Sequence, residues 1–173
     1  MNNIIVKILT IFLMLIGLTK SINADELKPS DSHQFNFFSG VFDINTDSKK
    51  SSELFGIQHS NEDLFRDTFL GKLSPITGFM MTKDSASYLY TGVQAEYEIG
   101  KLNLTPSFAP GYYTTGDGKD LGSPLEFKTE VQLSFDLLPG SKLGYSYNHV
   151  SNAGLGDKNP GANSYMFNFM KSF

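Results

Sequence analysis

Cysteine and tryptophan are both absent from the 173 residues. Without cysteine there is no disulfide framework and no thiolate metal site. Positive charge is short: 14 Lys and Arg against 18 Asp and Glu leave a net charge of −4. A chain of that sign lacks the basic surface that a phosphate backbone needs, which argues against a nucleic-acid partner. No apolar run reaches the ~20 residues of a membrane-spanning helix, and the mean hydropathy is slightly negative. A helical protein with several spans is therefore excluded. A membrane β-barrel is not, because only every second barrel residue faces lipid and such sequences read as soluble on average. The length suits one domain. What the chain does have is glycine (16), phenylalanine (15) and tyrosine (8).

The N-terminus has the order of a secretory signal. Lys7 precedes a short apolar run from Ile8 to Leu18, and small and polar residues follow to Ala24. The alternative, a retained anchor helix, is disfavoured by the shortness of the run. Cleavage is expected after Ala24, within about two residues, giving a signal peptide over 1–24 and a mature domain over 25–173. Removing Lys7 and Lys20 takes the charge from −4 to −6. The expectation is an exported, acidic protein.

From Gln34 onward, eight segments have strand composition or period-2 alternation: about 34–43, 51–60, 72–82, 87–99, 101–113, 124–137, 141–151 and 163–173. In 124–137, Leu125, Phe127, Thr129, Val131, Leu133 and Phe135 alternate with Glu126, Lys128, Glu130, Gln132, Ser134 and Asp136. The register of 72–82 is left open by Pro75 and Gly78. One face of each clear strand is long and aromatic, and the other is polar. Strands of a soluble sandwich usually run 5–6 residues, whereas strands of ten or so match a bilayer crossed at a tilt. The expected fold is all-β: an eight-stranded antiparallel transmembrane β-barrel in the outer membrane, its interior filled by the small polar face. The runner-up is a secreted lipocalin-like barrel. With both termini on the periplasmic side, the connections at roughly 44–50, 83–86, 114–123 and 152–162 are extracellular. Gly100 and Pro139-Gly140 supply short periplasmic turns, and 61–69 is an exception read as a helical turn against the inner rim.

The chemistry-bearing residues lie near the end. Residues i and i+2 of a strand share a face, so His149 and Ser151 point the same way, alongside Leu143, Tyr145 and Tyr147. This is the lipid-facing side, near the extracellular end of the strand. A serine hydroxyl needs a base within hydrogen-bond reach, and that base needs a third group to hold its tautomer. The His-x-Ser pair by itself is a weak signal and reads more readily as a structural polar pair.

The wider stretch His149-Val-Ser-Asn-Ala-Gly-Leu-Gly-Asp-Lys-Asn-Pro-Gly161 resembles the motif of the lipid A 3-O-deacylase (PagL-type) family of outer-membrane barrels, many of whose members are labelled acyloxyacyl hydrolases. The resemblance is tight over the last two strands and their loop, and looser over Leu121–Phe127 and the eight-strand plan. It implies a serine esterase that removes the ester-linked 3-hydroxyacyl chain from lipid A in the outer leaflet. On that resemblance Ser151 is the nucleophile and His149 the general base. The backbone amides near Ala153 and Gly154, with the side chain of Asn159, hold the oxyanion, and Asn152 supports the loop. The family's third triad member is a Glu fourteen residues after the His; here that position is Asn163. Asn163 has the right parity and can fix the imidazole tautomer, but it cannot stabilise the imidazolium by charge. Glu126 could substitute by chemistry, though its parity turns it to the lumen. Asp157 reads as a solvated turn residue.

Other features read more plainly. Asp117-Gly-Lys-Asp120 lacks the ligand series of a calcium loop and reads as a turn. His59 reads as a rim histidine, and Tyr112, Tyr113, Tyr145 and Tyr147 as interfacial girdle residues. Glu96, Glu98, Glu126, Lys128 and Glu130 read as a paired lumen network. No metal or other cofactor is expected. The expected partners are lipid A or lipopolysaccharide and the outer membrane, with the protein a monomer or homodimer. Two rival functions remain at this point: a non-catalytic structural barrel, and an esterase acting on another membrane lipid.

Overall fold

The computed structural model describes residues 33–44, 51–64 and 66–173. The signal expected over 1–24 lies outside them, as does most of the connection at 44–50. Ten strands form one antiparallel sheet: β1 (His33–Phe42), β2 (Ser52–Asn61), β3 (Arg66–Thr68), β4 (Gly71–Thr82), β5 (Ser87–Ala95), β6 (Tyr97–Ile99), β7 (Leu102–Thr114), β8 (Leu125–Leu138), β9 (Ser141–Ser151) and β10 (Ala162–Ser172). The order β2-β1-β10-β9-β8-β7-β5-β4, with a further pairing of β2 to β4, closes the sheet on itself. β6 continues β5 beyond Glu96, and both pair with β7 in one register. β3 is a small hairpin arm on the start of β4. The barrel therefore has eight staves, and closure pairs each of them on both sides among the described residues.

The alternation is realised stave by stave. In β8 the even positions from Glu126 to Ser134 are buried, while Leu125, Val131, Leu133 and Phe135 are exposed. In β4 the register that the sequence left open is set with Ile76, Gly78 and Met80 inward and Phe79 and Met81 outward. Exposed Phe55, Leu89, Phe108, Phe135, Tyr165 and Phe167 lie on strands all round the barrel. A continuous apolar exterior of this kind belongs in lipid.

The lumen differs from the small, polar filling expected. It contains a cluster of large apolar residues, among them Phe38, Phe42, Tyr88, Tyr90, Met80 and Met166. Glycines on neighbouring strands make this possible. A β-carbon on Gly78 would stand 2.4 Å from the Tyr90 ring, and one on Gly111 would stand 2.7 Å from the Tyr88 ring. An eight-stranded barrel has room only for side chains, and here glycine opposite an aromatic fills it. Polar bridges complete the filling. Asn36 donates to Gln132 of β8 and to Asn168 of the adjacent β10, and Lys128 pairs with Glu130 at 2.9 Å with its ammonium 4.1 Å from the Tyr90 ring centre.

The expected five-residue charge network is smaller than the sequence implied. Lys128 pairs with Glu130, and Glu96 pairs with Lys142 near the opposite rim. Glu98 is exposed, and both carboxylate oxygens of Glu126 are buried without a hydrogen-bond partner among the described residues. The segment after β2 is a 3-10 turn, Glu62–Leu64, followed by the β3 arm, in place of a single helical turn. It shares one end of the barrel with the tight turns at 100–101 and 139–140 and with the pairing of Phe173 to His33. The longer connections, including those at 115–124 and 152–161, lie at the other end.

Candidate active site

The site is assembled by the pairing of β9 and β10. In this register His149 stands directly opposite Asn163, and Tyr147 opposite Tyr165. On the other side of β9, Ser151 faces Phe127 and His149 faces Thr129. Tyr147, His149 and Ser151 line one outward face of β9, at the long-loop end. His149 and Ser151 are half-buried, whereas the intervening Val150 is turned to the lumen and fully buried.

His149 Nδ1 lies 2.7 Å from Asn163 Oδ1. An amide oxygen can only accept, so Nδ1 carries a proton, and in the neutral imidazole Nε2 is then the nitrogen with the free lone pair. The same Asn163 oxygen accepts a second hydrogen bond, from the Tyr147 hydroxyl at 2.7 Å. Ser151 is not hydrogen-bonded to His149 among the described residues. The two share one outward face, two residues apart, and catalytic hydrogen bonds are often long before substrate arrives. Gly161 closes the site from the far side of the loop: a β-carbon there would stand 2.7 Å from His149 Cε1 and 3.2 Å from Nε2.

The loop after β9 is shaped by Asn152, which is fully buried. Its side-chain nitrogen donates to the carbonyls of Leu121 and Lys158, both at 2.8 Å. Its oxygen accepts from the Gly154 amide at 2.9 Å. The Gly154 N–H expected at the oxyanion is thus engaged by Asn152 in this structure. The Ala153 amide has no hydrogen-bond partner among the described residues. Ala153 is held at φ +53, a left-handed conformation that costs an alanine about 1 kcal/mol. Asn159 uses its oxygen to accept from the Asn152 amide at 3.2 Å, so its NH2 faces away from that bond.

The proposed substitutes for the third member stay apart from the imidazole. Glu126 is buried on the lumen side, and Asp157 is exposed in the loop. The neighbouring loop is tied to this one by an ion pair, Lys158 to Asp120 at 2.6 Å. Hydrogen bonding to Lys158, and then to the Gly122 amide, holds the Asp120 carboxyl below the usual value. Sequence reasoning missed Tyr147, which read as a girdle residue, and Gly161. The signals were available: Tyr147 is two residues before His149, and Gly161 two before Asn163.

A closed barrel with an apolar exterior is an outer-membrane β-barrel, and on this one a Ser, a His and an amide share an outward face. The family model described as lipid A 3-O-deacylase (PagL) matches residues 51–172, most of the chain, and the chain belongs to that family. The lipid A deacylase PagL of Bordetella bronchiseptica (strain ATCC BAA-588 / NCTC 13252 / RB50) is 34% identical over 55 residues, 32% of this chain and 31% of that protein. The match thus spans less than a third of that relative's length. The crystal structure of the outer membrane enzyme PagL aligns with a TM-score of 0.60 at 19% identity, over 81% of this chain and 99% of that one. A de novo designed transmembrane β-barrel aligns at 0.52 and 13% identity, over 81% of this chain and 95% of its own. Since a designed barrel shares the architecture, the fold alone does not define the chemistry.

Proposed function

We propose that the protein is a serine esterase that removes the ester-linked 3-hydroxyacyl chain of lipid A in the outer leaflet of the outer membrane. One observation carries the reading: His149 is held by Asn163 at 2.7 Å in the tautomer that frees Nε2, on the same outward face as Ser151. Family membership supports the substrate class. In this reading Ser151 Oγ attacks the ester carbonyl and His149 Nε2 takes its proton. The tetrahedral oxyanion is met by the Ala153 amide and the Asn159 NH2 group, and donors aimed at developing charge are usually a large catalytic contribution. Collapse expels the sugar hydroxyl, protonated by His149, and leaves an acyl-serine that water then hydrolyses. A site on the outside of the barrel meets only molecules that live in the bilayer, and a lipid A ester lies just below the headgroup.

The test is mass spectrometry of lipid A incubated with the detergent-folded protein and with Ser151→Ala. The expected outcome is loss of one hydroxyacyl unit with the unsubstituted protein alone. Equal loss with Ser151→Ala would remove Ser151 as the nucleophile. Cleavage of phospholipid with lipid A untouched would move the substrate to another membrane lipid, and silence on both would make the barrel a structural one.

A further inference from the structure

We propose that Tyr147 is a positioning residue that keeps the oxygen of the Asn163 amide turned toward His149. The inference rests on the reading of His149 as the base. An amide, unlike a carboxylate, has two different ends. With Oδ1 toward the imidazole, Nδ1 carries the proton and Nε2 can accept one from Ser151. With the amide reversed, its NH2 donates to Nδ1, the ring proton moves to Nε2, and the base is lost.

Something must therefore choose between the two orientations, and the Tyr147 hydroxyl is placed to do so. It lies 2.7 Å from the same oxygen that meets His149. A phenol is a good donor and a poor acceptor, because its lone pair is drawn into the ring, so it favours the oxygen over the NH2 group. Tyr147 is itself steadied by the Tyr165 ring, 5.3 Å away between centres and opposite it in the β9–β10 register. The hydroxyl is also on the bilayer side, where water competes little for the bond. Two donors on one oxygen add nothing to the basicity of His149; the contribution of Tyr147 is to orientation. It explains how a neutral residue can serve where the resemblance puts a glutamate.

The experiment is one substitution, Tyr147→Phe, made in two backgrounds, native and Asn163→Asp, with kinetics on lipid A. Tyr147→Phe is expected to lower kcat about fivefold, the worth of one neutral hydrogen bond, with KM unchanged. In Asn163→Asp both side-chain oxygens accept, so no orientation has to be chosen. There Tyr147→Phe is expected to cost less than about twofold, a coupling between the two sites. Equal losses in the two backgrounds, or a change confined to KM, would overturn the proposal. Nitrogen-15 NMR of the His149 ring, without substrate, gives a second reading. The native protein is expected to hold the proton on Nδ1, and Tyr147→Phe to populate both tautomers. A single unchanged tautomer in Tyr147→Phe would overturn the proposal whether or not lipid A is the substrate. Ser151→Ala tests the hydrolase reading separately.

Discussion

Gly161 illustrates how tightly the site is drawn at the scale of one residue. Its φ is +57, and a side chain there would press on the imidazole from the side that carries Nε2. Gly161→Ala therefore has two consequences, a left-handed alanine costing about 1 kcal/mol and a displaced ring. Displacements near 1 Å in a reacting group can cost about a hundredfold in rate. The expected outcome is a barrel that still folds and shows heat-modifiable migration, with deacylation lowered about a hundredfold. Retained activity would mean that His149 tolerates displacement and is no base. Strand parity alone placed His149, Ser151 and Asn163 on one outward face, since a period of two needs no knowledge of loops. Parity could not say that Gly154 spends its amide on Asn152, or that Tyr147 reaches diagonally to Asn163. Those follow from rotamers and from the turn that Ala153 makes, which alternation does not encode.

At the scale of elements, the site depends on two loops held as one. Asn152 bonds a carbonyl in each of them, Leu121 and Lys158. Gly122 approaches Lys158 so closely that a β-carbon on it would lie 2.2 Å from that residue's carbonyl oxygen. Asn152→Ala removes both donors and frees the Gly154 amide. Local stability of the loops should fall by about 2 kcal/mol, read as faster amide exchange over 115–124 and 152–161 with the strands unaffected. The Lys158–Asp120 pair adds a pH dependence. Folding lowers the Asp120 carboxyl below its ordinary 3.8, so its contribution is complete above that value and fades as pH falls through the lowered one. Exchange in the two loops should rise in that acidic window, and Asp120→Asn should flatten the response. A native profile that stays flat would mean the pair does not fasten the loops. The eight staves were legible because each alternates. The 61–70 segment was not: it mixes a 3-10 turn with a hairpin arm, and its pattern has neither period. Nor was the β4 register, which only pairing with β2 and β5 decides.

For the whole molecule, the filled lumen accounts for the outward position of the site. The interior is occupied by glycine–aromatic contacts and by the Lys128–Glu130 pair, so the substrate of the proposed function is left to approach from the bilayer. In the proposed function the lumen and the site are then separable: one holds the barrel together and the other carries the chemistry. Lys128 provides the test, since it is 1% exposed and joins Gln58 of β2, Tyr90 of β5 and Glu130 of its own strand. Lys128→Met leaves Glu130 buried without its cation, which costs about 3–5 kcal/mol. Denaturant unfolding in liposomes, followed by tyrosine emission because the chain has no tryptophan, should show that loss. Lys128→Met with Glu130→Gln should recover most of it, because no bare charge remains. Per folded molecule, both variants should deacylate lipid A at the native rate. A variant that is fully folded but slow would mean that the lumen polar network acts on the lipid-facing site through the wall of β9, whose alternate residues Asn148 and Val150 are buried inside while His149 and Ser151 stand outside.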